Sequence, residues 1–123
     1  MSVLENRIAI ITGSSSGIGA GVAEAFATEG ATVIINYPDE SELQNAQNTL
    51  NKIIHLSPQS QIIQANVSSE DEVISMINEI NSIHGTIDIL VNNAGIATSA
   101  PVHEMTSSMW DELISIHLKG TFL

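Results

Sequence analysis

The chain has 123 residues, with 14 Asp and Glu against 3 Lys and Arg, a formal net charge of −11, and 43% hydrophobic residues. That is one domain's length with a normal apolar share for a core, and a charge that excludes nucleic acid and anionic membrane surfaces as partners. Cysteine is absent, which removes disulfides and thiolate metal sites, and no apolar run approaches the roughly 18 residues of a membrane helix; a soluble, cytoplasmic protein is expected.

Arg7-Ile8-Ala9-Ile10-Ile11-Thr12 is a β-branched run, apolar on both faces and stopped by Gly13, the pattern of a strand covered on both sides in a parallel sheet. Over residues 17–29, Ile18, Val22, Ala25 and Phe26 recur at helical spacing, and Gly30 stands where a helix ends in a residue of positive φ. Residues 31–36 form a second strand of the buried type, ended by Tyr37-Pro38-Asp39 because Pro38 cannot donate to a ladder. Residues 39–54 carry Leu43, Ala46, Leu50, Ile53 and Ile54 on one stripe and predict a second helix, closed by Ser57-Pro58. A short third strand follows at residues 61–65. Ser69-Glu70-Asp71-Glu72 has the form of a capping box and opens a third helix that reaches His84, with Gly85 as its stop. Residues 87–92 predict the fourth strand, which breaks into Asn93-Ala94-Gly95. A loop over residues 96–105 leads to Thr106, which can cap a last helix bearing Met109, Trp110, Leu113, Ile114 and Ile116 and still running at Leu123. Strands and helices alternating at this spacing give βαβ units, hence an α/β fold with an open, doubly wound parallel sheet in a single domain spanning residues 1–123.

Gly13-Ser14-Ser15-Ser16-Gly17-Ile18-Gly19 joins the first strand to the first helix, where a doubly wound fold binds phosphate. Glycines let the backbone approach a pyrophosphate, and free N–H groups with the helix dipole supply positive potential. Competing readings are a plain Gly/Ser turn, a flavin mononucleotide phosphate loop, and the Gly-x-Ser-x-Gly nucleophile elbow matched by Gly13, Ser15 and Gly17. The elbow needs strands and an oxyanion loop ahead of it, and here it would sit on the first strand. An ATP or GTP loop is excluded, because Ala20-Gly21 stand where Lys and Ser or Thr are required.

Thr12 to Gly19 after strand one, together with Asn92-Asn93-Ala94-Gly95 after strand four, resembles the short-chain dehydrogenase/reductase family. The Met105-Thr106 to Trp110-Asp111 stretch and Leu118-Lys119-Gly120-Thr121-Phe122 are similar to that family's next helix, so the likeness covers the whole chain. The resemblance implies a Rossmann-type, NAD(P)-dependent oxidoreductase fold of strand order 3-2-1-4, truncated before the later strands, that moves hydride between a nicotinamide and an alcohol or ketone. It implies that Gly13, Ser15, Ser16, Gly17 and Gly19 shape the pyrophosphate loop and that Ile18 packs beneath the cofactor. By the same likeness Asn92, Ala94 and Gly95 line the adenine ribose, Asn66 and Val67 meet the adenine in place of the family's Asp-Val, and Asn36 and Tyr37 end the second strand at the cofactor. Both motifs lie at the carboxyl ends of strands one and four, the switch point where open sheets bind ligands.

No Arg or Lys accompanies the glycine loop or Asn36-Tyr37-Pro38-Asp39, which favours NAD over NADP, although Asn36 stands where an NAD site often has a carboxylate. The family's Ser, Tyr and Lys are not in place: Tyr37, the only tyrosine, has Ser41 four residues on. No catalytic residue is therefore assigned, and these 123 residues are expected to be inactive alone. His117 stands where the family usually has Asn, and reads as tolerated in a chain without the proton relay. His55, His84 and His103 lack metal-ligand spacing, so no metal site is expected. The acidic runs at residues 39–42 and 70–72 read as helix starts complementing the dipole. Strand four would be an exposed edge, and Trp110, Leu113 and Ile116 lie near the helix the family uses for dimer packing, implying a homo-oligomer or pairing at that edge. The alternative function is a non-catalytic nucleotide-binding or interaction module that uses the open edge.

Overall fold

The computed structural model describes residues 2–96 and 101–123; part of the loop expected at residues 96–105 thus lies outside the described residues. Four parallel strands, β1 (Ile8–Ile11), β2 (Thr32–Tyr37), β3 (Gln61–Gln64) and β4 (Ile89–Val91), form one sheet in the order β3-β2-β1-β4. The expected order holds. Helices α1 (Gly17–Thr28), α2 (Leu43–Ile53) and α3 (Glu70–His84) connect them, and α4 (Ser107–Ile114) follows β4.

Alternation along the strands sorts the core into two layers. Ile11, Val33 and Ile35 join Ala23 and Ala27 of α1 and Ala46 and Ile53 of α2 on one side. Ile10, Ile34 and Ile63 join Met76 and Ile80 of α3 on the other. Ile10, Ile11, Ile34 and Ile35 are all wholly buried, which is why these strands read as continuous apolar runs. Polar side chains tie the strand ends. Ile8 N–H donates to Asp88 Oδ2 at 2.8 Å, and Val33 N–H donates to Ser60 Oγ at 2.9 Å, while the Ser60 hydroxyl reaches Ser57 Oγ at 2.7 Å.

Several boundaries differ from the sequence reading for identifiable reasons. A 3₁₀ turn at Glu40–Glu42 precedes α2, because the Asp39 side chain accepts from Ser41 N–H and tightens the entry. β4 is shorter than residues 87–92, since only Ile89, Leu90 and Val91 find ladder partners on β1. At α3 the Ser69 hydroxyl accepts from Glu72 N–H at 3.4 Å, while Glu72 Oε1 accepts from Asn66 N–H at 3.2 Å. The box is thus half formed, and its carboxylate braces the end of β3. The last helix is interrupted by a π turn, Ser115–Lys119, before a final turn at Gly120–Phe122.

Candidate functional site at the carboxyl ends of β1 and β4

The chain leaves β1 through Thr12, whose hydroxyl accepts from both Asn93 N–H and Ala94 N–H at 3.0 Å. Asn93 returns the contact, its Nδ2 donating to Thr12 O and Gly13 O at 3.1 Å each. The ends of β1 and β4 are therefore locked together. Gly13 has φ +63°, and a Cβ there would lie 2.8 Å from Ala94 Cα, so conformation and space both demand glycine. A Cβ at Gly19 would lie 2.5 Å from Asn93 Nδ2 and 2.8 Å from Gly13 O, which makes the close packing of α1 on this loop a second glycine requirement.

Ser14 is fully buried, its hydroxyl donating to Ile11 O at 2.7 Å and accepting from Asn36 N–H at 3.2 Å. Asn36, 1% exposed, accepts from Gly13 N–H at 3.1 Å and donates to Ala65 O at 3.0 Å and Ile63 O at 3.4 Å. One amide thus joins the glycine loop to β2 and β3. Ser15 O accepts from Thr49 Oγ1 of α2 at 2.7 Å, and Ser15 Oγ donates to Glu42 Oε2 at 3.0 Å.

Ser16 occupies the N-cap of α1 but makes no side-chain cap bond, and the first turn of α1 has no acidic residue. By contrast α3 is capped by Ser69 and begins with three acids. The N–H groups opening α1 are therefore left for an anion. Beside them is a cleft of about 340 Å³, lined by Gly13, Ser15, Ser16 and Ile18 of the loop, Asn36, Pro38 and Glu42 after β2, Ala65, Asn66 and Val67 after β3, Asn93 to Ile96 after β4, and Ile116. Ile18 is 81% exposed at its mouth, an apolar surface available to a ligand.

Of the residues singled out in the sequence, Gly13, Ser15, Ser16, Ile18, Asn36, Asn66, Val67, Ala94 and Gly95 meet at this cleft, whereas Gly17, Gly19, Tyr37 and Asn92 do not line it. Gly17 turns the loop with φ +64°, and Gly19 makes its close approach to Asn93 and Gly13 without lining the cleft itself. Tyr37 is buried in the α1–α2 layer, and Asn92 is exposed. Asn93, Glu42, Pro38, Ile96 and Ile116 line the cleft without having been singled out. Strand alternation could have pointed to Asn93 as the inward member of the Asn92-Asn93 pair; Glu42 left no signal beyond its acidic run. Ile116, expected on a packing face, instead faces the cleft. His117 is held to the β4 loop, with Nε2 3.0 Å from Ile96 N and 2.7 Å from Ile96 O, and its ring occupies the space a Cβ on Gly95 would need. No group of three or more His, Cys, Asp or Glu among the described residues could hold a metal ion. No helix there is long and apolar enough to cross a membrane.

Residues 7–123 match the family model described as short chain dehydrogenase. This chain belongs to that family. It is 40% identical over its full length to an uncharacterized oxidoreductase, YxbG, of Bacillus subtilis, covering 44% of that protein. It is also 40% identical over 95% of its length to the 3-oxoacyl-acyl-carrier-protein reductase FabG of Staphylococcus epidermidis, covering 47% of it. Among solved structures, a short chain dehydrogenase from Bacillus anthracis superposes with a TM-score of 0.89 at 35% identity, over 98% of this chain and 48% of that one. The chain thus spans about half the length of the curated relatives it matches. It is an oxidoreductase-family Rossmann domain, and the cofactor class that accompanies the family is NAD(P)(H).

Proposed function

We propose that the cleft holds a nicotinamide dinucleotide, NAD in preference to NADP, as the cofactor-binding part of an oxidoreductase that interconverts an alcohol and a ketone. The observation that carries this reading is the N-terminus of α1, uncapped by any side chain and free of acid, opening beside the cleft. Gly13, Ser15, Ser16 and Gly17 would cradle the pyrophosphate, with Gly19 behind them and Ile18 beneath the cofactor. Asn66 and Val67 would meet the adenine, and Ala94 and Gly95 its ribose. Asn36 shapes the site through the backbone; its side chain is spent on Gly13, Ile63 and Ala65. Tyr37, the last residue of β2, and Asn92, the residue after β4, would contribute by positioning this rim. The bound dinucleotide supplies or accepts the hydride.

Isothermal titration of the chain with NAD, NADP and flavin mononucleotide tests the reading. Saturable binding of a dinucleotide is the expected result, and at about a hundred times its dissociation constant it should stabilise the fold by roughly 2.7 kcal/mol. Binding of flavin mononucleotide alone, or of none of the three, would overturn it.

A second reading concerns self-association. Among the described residues β4 hydrogen-bonds only to β1, and Leu90 on it is 55% exposed, an edge that can pair with a strand of another copy. Light scattering after size exclusion should give a mass above 13.1 kDa; a strictly monomeric mass at high concentration would remove this reading.

A further inference from the structure

We infer that Glu42, in the 3₁₀ turn after β2, sets the choice between the two dinucleotides by accepting a ribose hydroxyl and repelling a 2′-phosphate. The inference rests on the dinucleotide reading of the cleft. Glu42 is half-buried in the cleft lining, and its Oε2 is held from two sides, by Ser15 Oγ at 3.0 Å and by Asn45 Nδ2 at 2.9 Å. Oε1 accepts no hydrogen bond from any described residue. A carboxylate oriented in this way presents an open acceptor on a fixed negative charge.

Among the described residues no Lys, Arg or His is ion-paired with Glu42. No Lys or Arg lines the cleft among the described residues. Lys52 lies 3.9 Å from Glu24, and Arg7 lies 3.9 Å from Asp88. The pyrophosphate, itself anionic, belongs at the N–H groups that open α1 beyond Ser16, so the ligand atoms beside Glu42 must come from an uncharged, hydroxyl-bearing part of the molecule. An adenosine ribose with a free 2′-hydroxyl fits as a donor. A phosphate ester at that hydroxyl would set two anions together where water is partly excluded.

β2 closes on Asn36 and Tyr37, where an acidic residue would ordinarily do this work, and both side chains are buried, Asn36 in its hydrogen bonds and Tyr37 among the α1–α2 core residues. The carboxylate facing the ribose is therefore supplied by the following turn. Ser15 links it to the glycine loop, so the charge is positioned relative to the phosphate cradle and does not swing freely on the surface.

The test is E42Q, which keeps the side chain's length and an acceptor for Ser15 Oγ. Wild type and E42Q are titrated calorimetrically with NAD and with NADP at low and high salt, with circular-dichroism melts to confirm folding. Wild type should bind NAD at least about ten-fold more tightly than NADP, and E42Q should narrow that ratio by about five-fold or more, chiefly by tightening NADP. Added salt should narrow the wild-type ratio more than that of E42Q. E42K, with the opposite charge in the same place, should favour NADP, so a folding failure in one variant leaves the other decisive. A ratio unchanged within two-fold in the folded variants overturns the role of Glu42 while leaving the cofactor site standing. Failure of both wild type and variants to bind either dinucleotide overturns the cofactor reading, and this inference with it.

Discussion

Replacing Asn36 by Ala removes the side chain that joins three segments of the site. Its Oδ1 is the acceptor for Gly13 N–H at 3.1 Å, and its Nδ2 donates to Ala65 O at 3.0 Å and more weakly to Ile63 O at 3.4 Å. At 1% exposure no solvent stands ready to replace those bonds. Leaving Gly13 N–H and Ala65 C=O without side-chain partners costs about 1–2 kcal/mol each, and the void left by the amide about 1 kcal/mol more. The total, about 3–5 kcal/mol, is a large part of the stability of an ordinary domain. At about 3–4 °C per kcal/mol for a chain of this size, the melting temperature should fall by about 9–20 °C. Urea unfolding followed by circular dichroism measures the loss directly, as a lower midpoint at nearly constant slope. A loss below about 1 kcal/mol would refute the claim that this amide holds the glycine loop to β2 and β3.

Four further substitutions separate the parts of the site from their surroundings. Gly13→Ala forces a Cβ to 2.8 Å from Ala94 Cα at φ +63° and should cost about 2–4 kcal/mol in urea unfolding and abolish measurable dinucleotide binding. Asn93→Ala, which loses the bonds to Thr12 O and Gly13 O, should destabilise by about 1–3 kcal/mol, whereas Asn92→Ala at an exposed position should stay within about 0.5 kcal/mol by the same assay. Ser69→Ala removes the only side-chain cap of α3, and a thermal melt should report about 1 kcal/mol lost with dinucleotide affinity unchanged.

The sheet was legible in the sequence because its cause is written locally. Ile8 to Ile11 and Val33 to Ile35 are apolar at successive positions and rich in β-branched residues, the pattern of a short strand buried on both faces, and Gly30 and Gly85 mark helix ends that the structure shows at φ +92° and +80°. The site was legible at its backbone and less so at its side chains. A glycine loop announces a phosphate cradle through conformation alone, but whether Asn36 faces the ligand or the interior depends on the carbonyls of Ile63 and Ala65 at the end of β3, 27 and 29 residues away. The same holds for Glu42: it sits in an acidic run indistinguishable from a helix start until Ser15 is brought to it across the fold. The division of Asn92 from Asn93 turned on how far β4 continues before its last paired residue, Val91. The π turn that brings Ile116 to the cleft has no signature in the pattern of residues 107–119.

A strand with apolar side chains on both faces carries little information about its own alignment. In a half-solvated sheet, slipping one residue would exchange core for water and be rejected at once; here, slipping β1 against β2 would largely trade one isoleucine for another. The polar ties at the strand ends take over that task. Asp88 recognises Ile8 N–H at one end of β1 and Thr12 recognises the Asn93 and Ala94 amides at the other. Ser60 recognises Val33 N–H near the start of β2, and Asn36 near its end reads the carbonyls of Ile63 in β3 and Ala65 just after it. A handful of hydrogen bonds thus acts as the alignment code for an otherwise degenerate core. One of those marks, Asn36, lines the cleft, and another, Thr12, holds the Asn93 and Ala94 amides that line it, so a misaligned sheet and a misshapen binding site are the same error.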